Sequence, residues 1–212
     1  MKGTTDLLLE VGCEEIPAGM LPGAIQELQA ILEKYLKAYN LLQDSPVETL
    51  GAPRRLAALC ASILVRQPDE TKEITGPPKS VAYDSAGNPT RAAESFAQKV
   101  GLPVSKLSIV ITPKGEYIAA KQVIHGRGAK EILEELLPRA VAEIPWPRTM
   151  YWTGISGLHF IRPVRWVVAL LGGKVLRVTL GDTVAGKFSA GHRFLGNPKV
   201  PLSGVKDYVQ KL

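Results

Sequence analysis

The apolar positions of this chain change rhythm along its length. Residues 6–11 are apolar almost without interruption, Glu10 standing near the end, and this predicts a buried strand. From Pro22 to about residue 39, Ile25, Leu28, Leu32, Tyr35, Leu36 and Tyr39 recur on one face, which predicts a core-facing helix. Residues 47–50 read as a strand. Between residues 54 and 65 periodicity leaves two readings: the alanines favour a helix, while the length and bracketing turns favour a strand, the preferred assignment. Asn88 or Thr90 is expected to cap a helix that Gly101 closes. Strands follow at 107–111 and 117–124, then a helix over 129–141 with Ile132, Leu133, Leu136, Leu137 and Ala140 inward. Residues 164–171 are apolar on both faces, as an interior strand requires. Gly172-Gly173 then predicts a hairpin, because two-residue turns need the positive φ that glycine supplies. Its second strand, Val175, Val178 and Leu180 among Lys174, Arg177 and Thr179, is able to face water on one side.

Breaks at Gly76-Pro77-Pro78 and Pro145-Trp146-Pro147 punctuate this pattern. The expectation is an α+β fold with a mixed or antiparallel sheet core and flanking helices. Residues 1–79 and 148–202 would share that core, and 80–147 would form an inserted helix–hairpin–helix lobe. Ser203 would cap a further helix, unfinished at Leu212, in which 203–212 begin a following helix or domain of a longer protein.

Charge changes the picture more than composition does. Residues 1–144 carry 16 Lys+Arg against 18 Asp+Glu, whereas residues 145–212 carry ten Lys+Arg against only Asp182 and Asp207. The entire excess of +6 therefore belongs to the last third, as expected for an anionic partner, nucleic acid first among them. No run of about 18 apolar residues is present, so no membrane span is expected, and the start lacks the apolar core of a signal peptide. Cys13 and Cys60 stand alone, which predicts buried free thiols in a reducing cytoplasm.

Catalytic chemistry is harder to find. His125, His159 and His192 are scattered, none with a Cys, Asp or Glu at ligand spacing, so no metal site and no catalytic residue is assigned. Gly126-Arg127-Gly128 lacks the following Lys-Ser/Thr of a phosphate-cradling loop and reads as a turn; residues 154–157 are not a nucleophile elbow. The adjacent Glu14 and Glu15 suit a structural or helix-N-terminal role. What remains is a set of cations: Arg54, Arg55, Arg148, Arg162, Arg165, His192 and Arg193 are the candidates for nucleic-acid contact. The pair Arg162/Arg165 has two readings, bracing carboxylates or carbonyls, or facing phosphate, since the guanidinium fork suits both. Pro53-Arg54-Arg55 echoes Pro163-Val164-Arg165, a proline and an arginine ahead of an apolar run.

Seven short motifs occur in order: Leu8-Leu9-Glu10-Val11-Gly12-Cys13-Glu14-Glu15-Ile16-Pro17-Ala18, Pro53-Arg54-Arg55-Leu56-Ala57, Gly76-Pro77-Pro78, Gly87-Asn88-Pro89-Thr90, Lys114-Gly115-Glu116-Tyr117, Phe160-Ile161-Arg162-Pro163-Val164-Arg165-Trp166 and Gly191-His192-Arg193-Phe194. Together they resemble the N-terminal region of the bacterial glycyl-tRNA synthetase β-subunit family; Cys13 departs from that pattern, which usually has threonine there. The resemblance implies a cytoplasmic heterotetramer of two α and two β subunits. The α subunit would make glycyl-adenylate from glycine and ATP with Mg2+, and the β subunit would bind tRNA(Gly). No cofactor is expected on this stretch, and alone it is expected neither to activate glycine nor to exchange pyrophosphate into ATP. A second reading is a protein-docking platform for the α subunit or other β domains, since residues 89–118 are faintly similar to peripheral-subunit-binding modules. A hydrolytic editing module would need a nucleophile that is not evident.

Overall fold

A computed structural model describes residues 3–43, 45–113, 115–152 and 157–212. Lys114 of the fifth motif, and residues 154–156 of the Gly-x-Ser comparison, lie outside the described residues. In chain order the elements are β1 (Thr4–Cys13), α1 (Leu21–Ala38), β2 (Val47–Ala52), β3 (Arg55–Leu64), β4 (Glu70–Pro78), α2 (Lys79–Ala82), α3 (Arg91–Val100), β5 (Ser108–Thr112) and β6 (Gly115–Ile124). There follow α4 (Ala129–Ala142), β7 (Met150–Tyr151), β8 (His159–Phe160), β9 (Val164–Leu171), β10 (Lys174–Val175), β11 (Thr179–Leu180), β12 (Thr183–Val184), β13 (Phe188–Ser189), β14 (Val200–Pro201) and α5 (Val205–Lys211). The fold is α+β, and the pairings between these strands are antiparallel. The ambiguous run after Arg54 is the strand β3.

The chain divides into two compact units, residues 1–67 with 127–212, and residues 68–126. In the first, a sheet of order β10-β9-β1-β3-β2 places β1 at its centre. Leu7 through Val11 are buried because both faces of the sheet are covered. Leu7, Leu9 and Val11 join Leu28, Leu32 and Leu36 of α1 and Leu133, Leu136 and Leu137 of α4 in the larger core. On the opposite face Leu8, Leu59, Val168 and Leu170 pack with Leu202 and with Tyr208 of α5. Gly172 and Gly173 adopt φ of 55° and 75°, as the hairpin requires. Its return strand is only the two residues of β10; Leu176 and Val178 then turn into the larger core, where burial outweighs further pairing.

The second unit is a three-stranded sheet of order β4-β6-β5 covered by α3, whose Ala93, Phe96 and Val100 pack with Ile118 and Ala120. It is not a helix–hairpin–helix. The second expected helix, α4, buries its apolar face in the core of the first unit, and β4 pairs with β6 instead of ending the first unit. The proline breaks thus do not mark unit boundaries at 79/80 and 147/148. Pro77 and Pro78 end an edge strand at a register shift that follows Thr75, where prolines are tolerated, and Pro145 and Pro147 follow α4 within its unit.

Two expected caps work differently. Thr90, not Asn88, precedes α3, but its hydroxyl donates to the carbonyls of Val81 (2.7 Å) and Ala82 (3.2 Å). Gly204, not Ser203, precedes α5, and the N–H of Val205 donates to Asp6 Oδ2 at 2.8 Å, so β1 supplies the acceptor. Gly101 closes α3 at φ 72° as expected. Both cysteines are buried and free; burial pushes the Cys13 thiol up to about 12.

Candidate nucleic-acid interface

The two proline–arginine motifs come together through β1. Gly12 pairs with Arg55 on β3 and with Trp166 on β9, so the motifs flank the end of the central strand on either side. Backbone bonds fasten all three segments: Cys13 N–H to Arg54 O at 2.9 Å, Ile16 N–H to Pro53 O at 2.6 Å and Glu14 N–H to Pro163 O at 3.1 Å.

Glu10 is the hub beneath them. It is fully buried, and its carboxylate accepts from Ser189 Oγ (2.6 Å), Arg55 Nη1 (3.3 Å) and the indole N–H of Trp166. Arg55 also donates to Ser189 Oγ at 3.2 Å and to the carbonyl of Ala190. Burial, and then the Glu10 carboxylate, raise the phenol pKa of Tyr208 on the same face. A buried carboxylate persists only with such donors around it. The cost of its burial is met by fixing Arg55, Trp166 and the segment at Ser189 in one arrangement.

Glu14 gathers a second group at the surface. Arg165 Nε donates to its Oε1 at 2.6 Å and Arg54 Nη2 lies 3.6 Å from Oε2. The Arg165 hydrogen bond, with the charges of Arg165, Arg54 and Arg193, holds the Glu14 carboxyl below its ordinary value. Arg162 Nε donates to the carbonyl of Glu15 at 2.8 Å. Neither glutamate caps a helix here; both are acceptors for arginine.

A glycine-flanked loop closes the far side. Gly191 N–H donates to Asn197 O and Gly196 N–H to His192 O, each at 2.8 Å. His192 Nδ1 accepts from the N–H groups of Phe194 (3.3 Å) and Leu195 (3.2 Å), so its ring proton resides on Nε2. Arg54, Arg55, Trp166, His192, Arg193 and Phe194 line a cleft of about 250 Å³. A more open hollow of about 730 Å³ in the second unit is lined by Lys79 and Glu116, which satisfy each other at 2.7 Å.

Six of the seven candidate cations therefore lie around the end of β1. Arg54, Arg55 and Arg162 are half-buried, whereas Arg165, His192 and Arg193 are exposed, Arg165 while bonded to Glu14. Arg148 is exposed ahead of β7 and does not line the cleft. Sequence reasoning passed over Glu10 as a strand residue and Ser189 and Tyr208 altogether. A carboxylate inside an unbroken apolar run was the one available signal for that hub. Phe194 and Leu195, an apolar pair within a basic loop, were equally legible. Among the described residues no group of three or more His, Cys, Asp or Glu converges at one place. Nor is any helix among them long and apolar enough to cross a membrane.

Residues 7–212 match the family model described as glycyl-tRNA synthetase beta subunit. Among curated relatives, the glycine–tRNA ligase beta subunit of Citrifermentans bemidjiense is 42% identical over 206 residues, and that of Geobacter metallireducens 43% over 206, each across 97% of this chain and 30% of the relative. The corresponding protein of Anaeromyxobacter dehalogenans is 44% identical over 208 residues, 98% of this chain and 29% of its own length. The chain thus spans about three-tenths of the relatives it matches. With four of the seven ordered motifs meeting at the end of β1, and the family model matched from Leu7 to Leu212, the chain belongs to the glycyl-tRNA synthetase β-subunit family.

Proposed function

We propose that this chain is a tRNA-contacting part of the β subunit of a cytoplasmic α2β2 glycyl-tRNA synthetase. It supports ATP-dependent attachment of glycine to tRNA(Gly), while the α subunit supplies the site that uses ATP and Mg2+. The observation carrying the reading is the crowding of five guanidiniums, Arg54, Arg55, Arg162, Arg165 and Arg193, at one end of the sheet, with Glu10, Glu14 and Glu15 among them and Asp182 sharing a hollow with Arg165. An excess of cation there suits a polyanion. The seven candidates divide by exposure. Arg148, Arg165 and Arg193 contact phosphate, with His192 offering its Nε2–H. Arg54, Arg55 and Arg162 use their donors to hold the site together.

Salt dependence of tRNA(Gly) binding by the intact enzyme tests this division. Removing Arg148, Arg165 and Arg193 together is expected to weaken binding and to flatten the log–log salt slope by roughly 0.7 for each phosphate no longer neutralised. Arg55→Ala is expected to lower thermal stability and leave the slope unchanged. A triple variant with the wild-type slope would defeat the reading.

One observation favours the docking platform as a second reading. The edge strand β5 exposes Ile109 (48%) and Ile111 (84%), an apolar edge suited to a protein partner. Charged substitutions at both positions that weaken association with the α subunit, with tRNA affinity preserved, would support it.

A further inference from the structure

Phe194 is 82% exposed and Leu195 90%, yet the loop carrying them is tightly held. Beyond the two backbone bonds that close it, the His192 ring takes both N–H groups of the tip. Its glycines are demanded by close packing: a Cβ at Gly191 would lie 2.8 Å from Asn197 O, and one at Gly196 would collide with the backbone N of His192. The exposure of the phenyl ring is therefore built into the fold. Guanidiniums share its cleft. Arg193 Cζ stands 5.6 Å from the Phe194 centroid, and Arg54 and Arg55 each stand 5.9 Å from that of Trp166 across the cleft wall. On β13, which precedes the loop, the Phe188 ring has Lys199 and Lys187 at 4.3 and 5.8 Å.

We propose that the Phe194 loop is a stacking site for one unpaired nucleotide of tRNA, the base lying on the Phe194 ring and the adjoining phosphate on Arg193. The assignment rests on the tRNA-contact reading above and adds the chemistry of the contact. Unpaired bases are held by an aromatic face beside a cation, and every base presents a π-face to it. An apolar pocket on a protein would match Phe194 and Leu195 but would leave the guanidiniums of the cleft to be desolvated, and this weighs against that partner.

The test titrates fluorescent tRNA(Gly) against the intact enzyme at several salt concentrations, with Phe194→Ala, Phe194→Leu, Phe194→Trp and Arg193→Ala compared. Stacking predicts that Ala and Leu each weaken binding roughly tenfold at every salt concentration with the slope unchanged, and that Trp preserves affinity. Wild-type affinity for Phe194→Ala, or full function with Leu, overturns the stacking site. So does a loss confined to subunit association measured by sedimentation, which would assign the tip to a protein pocket. If the Phe194 variants bind normally while Arg193→Ala flattens the slope, stacking fails and the phosphate contact stands. If neither position matters, both fail.

Discussion

The indole of Trp166 lies across the α-carbon of Gly12, its cross-strand partner, in the space that any side chain at position 12 would need. The ring is anchored there by its N–H bond to Glu10, so it has no easy retreat. Gly12→Ala is expected to destabilise the protein by about 1–3 kcal/mol through overpacking. Urea denaturation monitored by tryptophan fluorescence checks this, and an unchanged midpoint would contradict the packing described.

Removing the hub should cost more. Glu10→Ala strands the Arg55 guanidinium, which is 16% exposed, together with the Ser189 hydroxyl and the indole N–H. Breaking one side of a buried ion pair typically costs about 3–5 kcal/mol, and that range is expected here. Glu10→Gln retains an acceptor for Ser189 and Trp166 and should lose distinctly less. Equal losses in Gln and Ala, compared by urea midpoint, would show that the hydrogen bonds contribute little.

Acid should release the surface pair. Because Arg165 lowers the folded-state pKa of Glu14, the contribution of this carboxylate is present above its unfolded value and disappears as pH falls through the folded one. Wild type should therefore exceed Glu14→Gln slightly at neutral pH, by under about 1 kcal/mol for so accessible a pair, and the two should converge in acid. Melting curves from pH 7 to pH 3 check it. A gap that widens on acidification would mean the opposite sign.

Sequence alone determined the elements whose signal is local. The unbroken run of β1, the stripe of α1, the Gly172-Gly173 turn and the Gly101 cap each follow from neighbours a few residues apart, and each stands where periodicity and backbone sterics require. Tertiary structure decided what depends on distant partners. Only packing against α1 could assign α4 to the first unit, although proline breaks bracket it with the lobe. The bonds of Glu10 reach across 45, 156 and 179 residues to Arg55, Trp166 and Ser189. Such separations leave no trace in hydrophobic rhythm, because a side chain's partners are chosen by which strands become neighbours and not by spacing along the chain. Arginine alone also does not reveal whether it braces or binds, since carboxylate and phosphate present it with the same oxygen geometry. Only the folded chain shows that Arg55 is engaged beneath the surface while Arg193 is exposed.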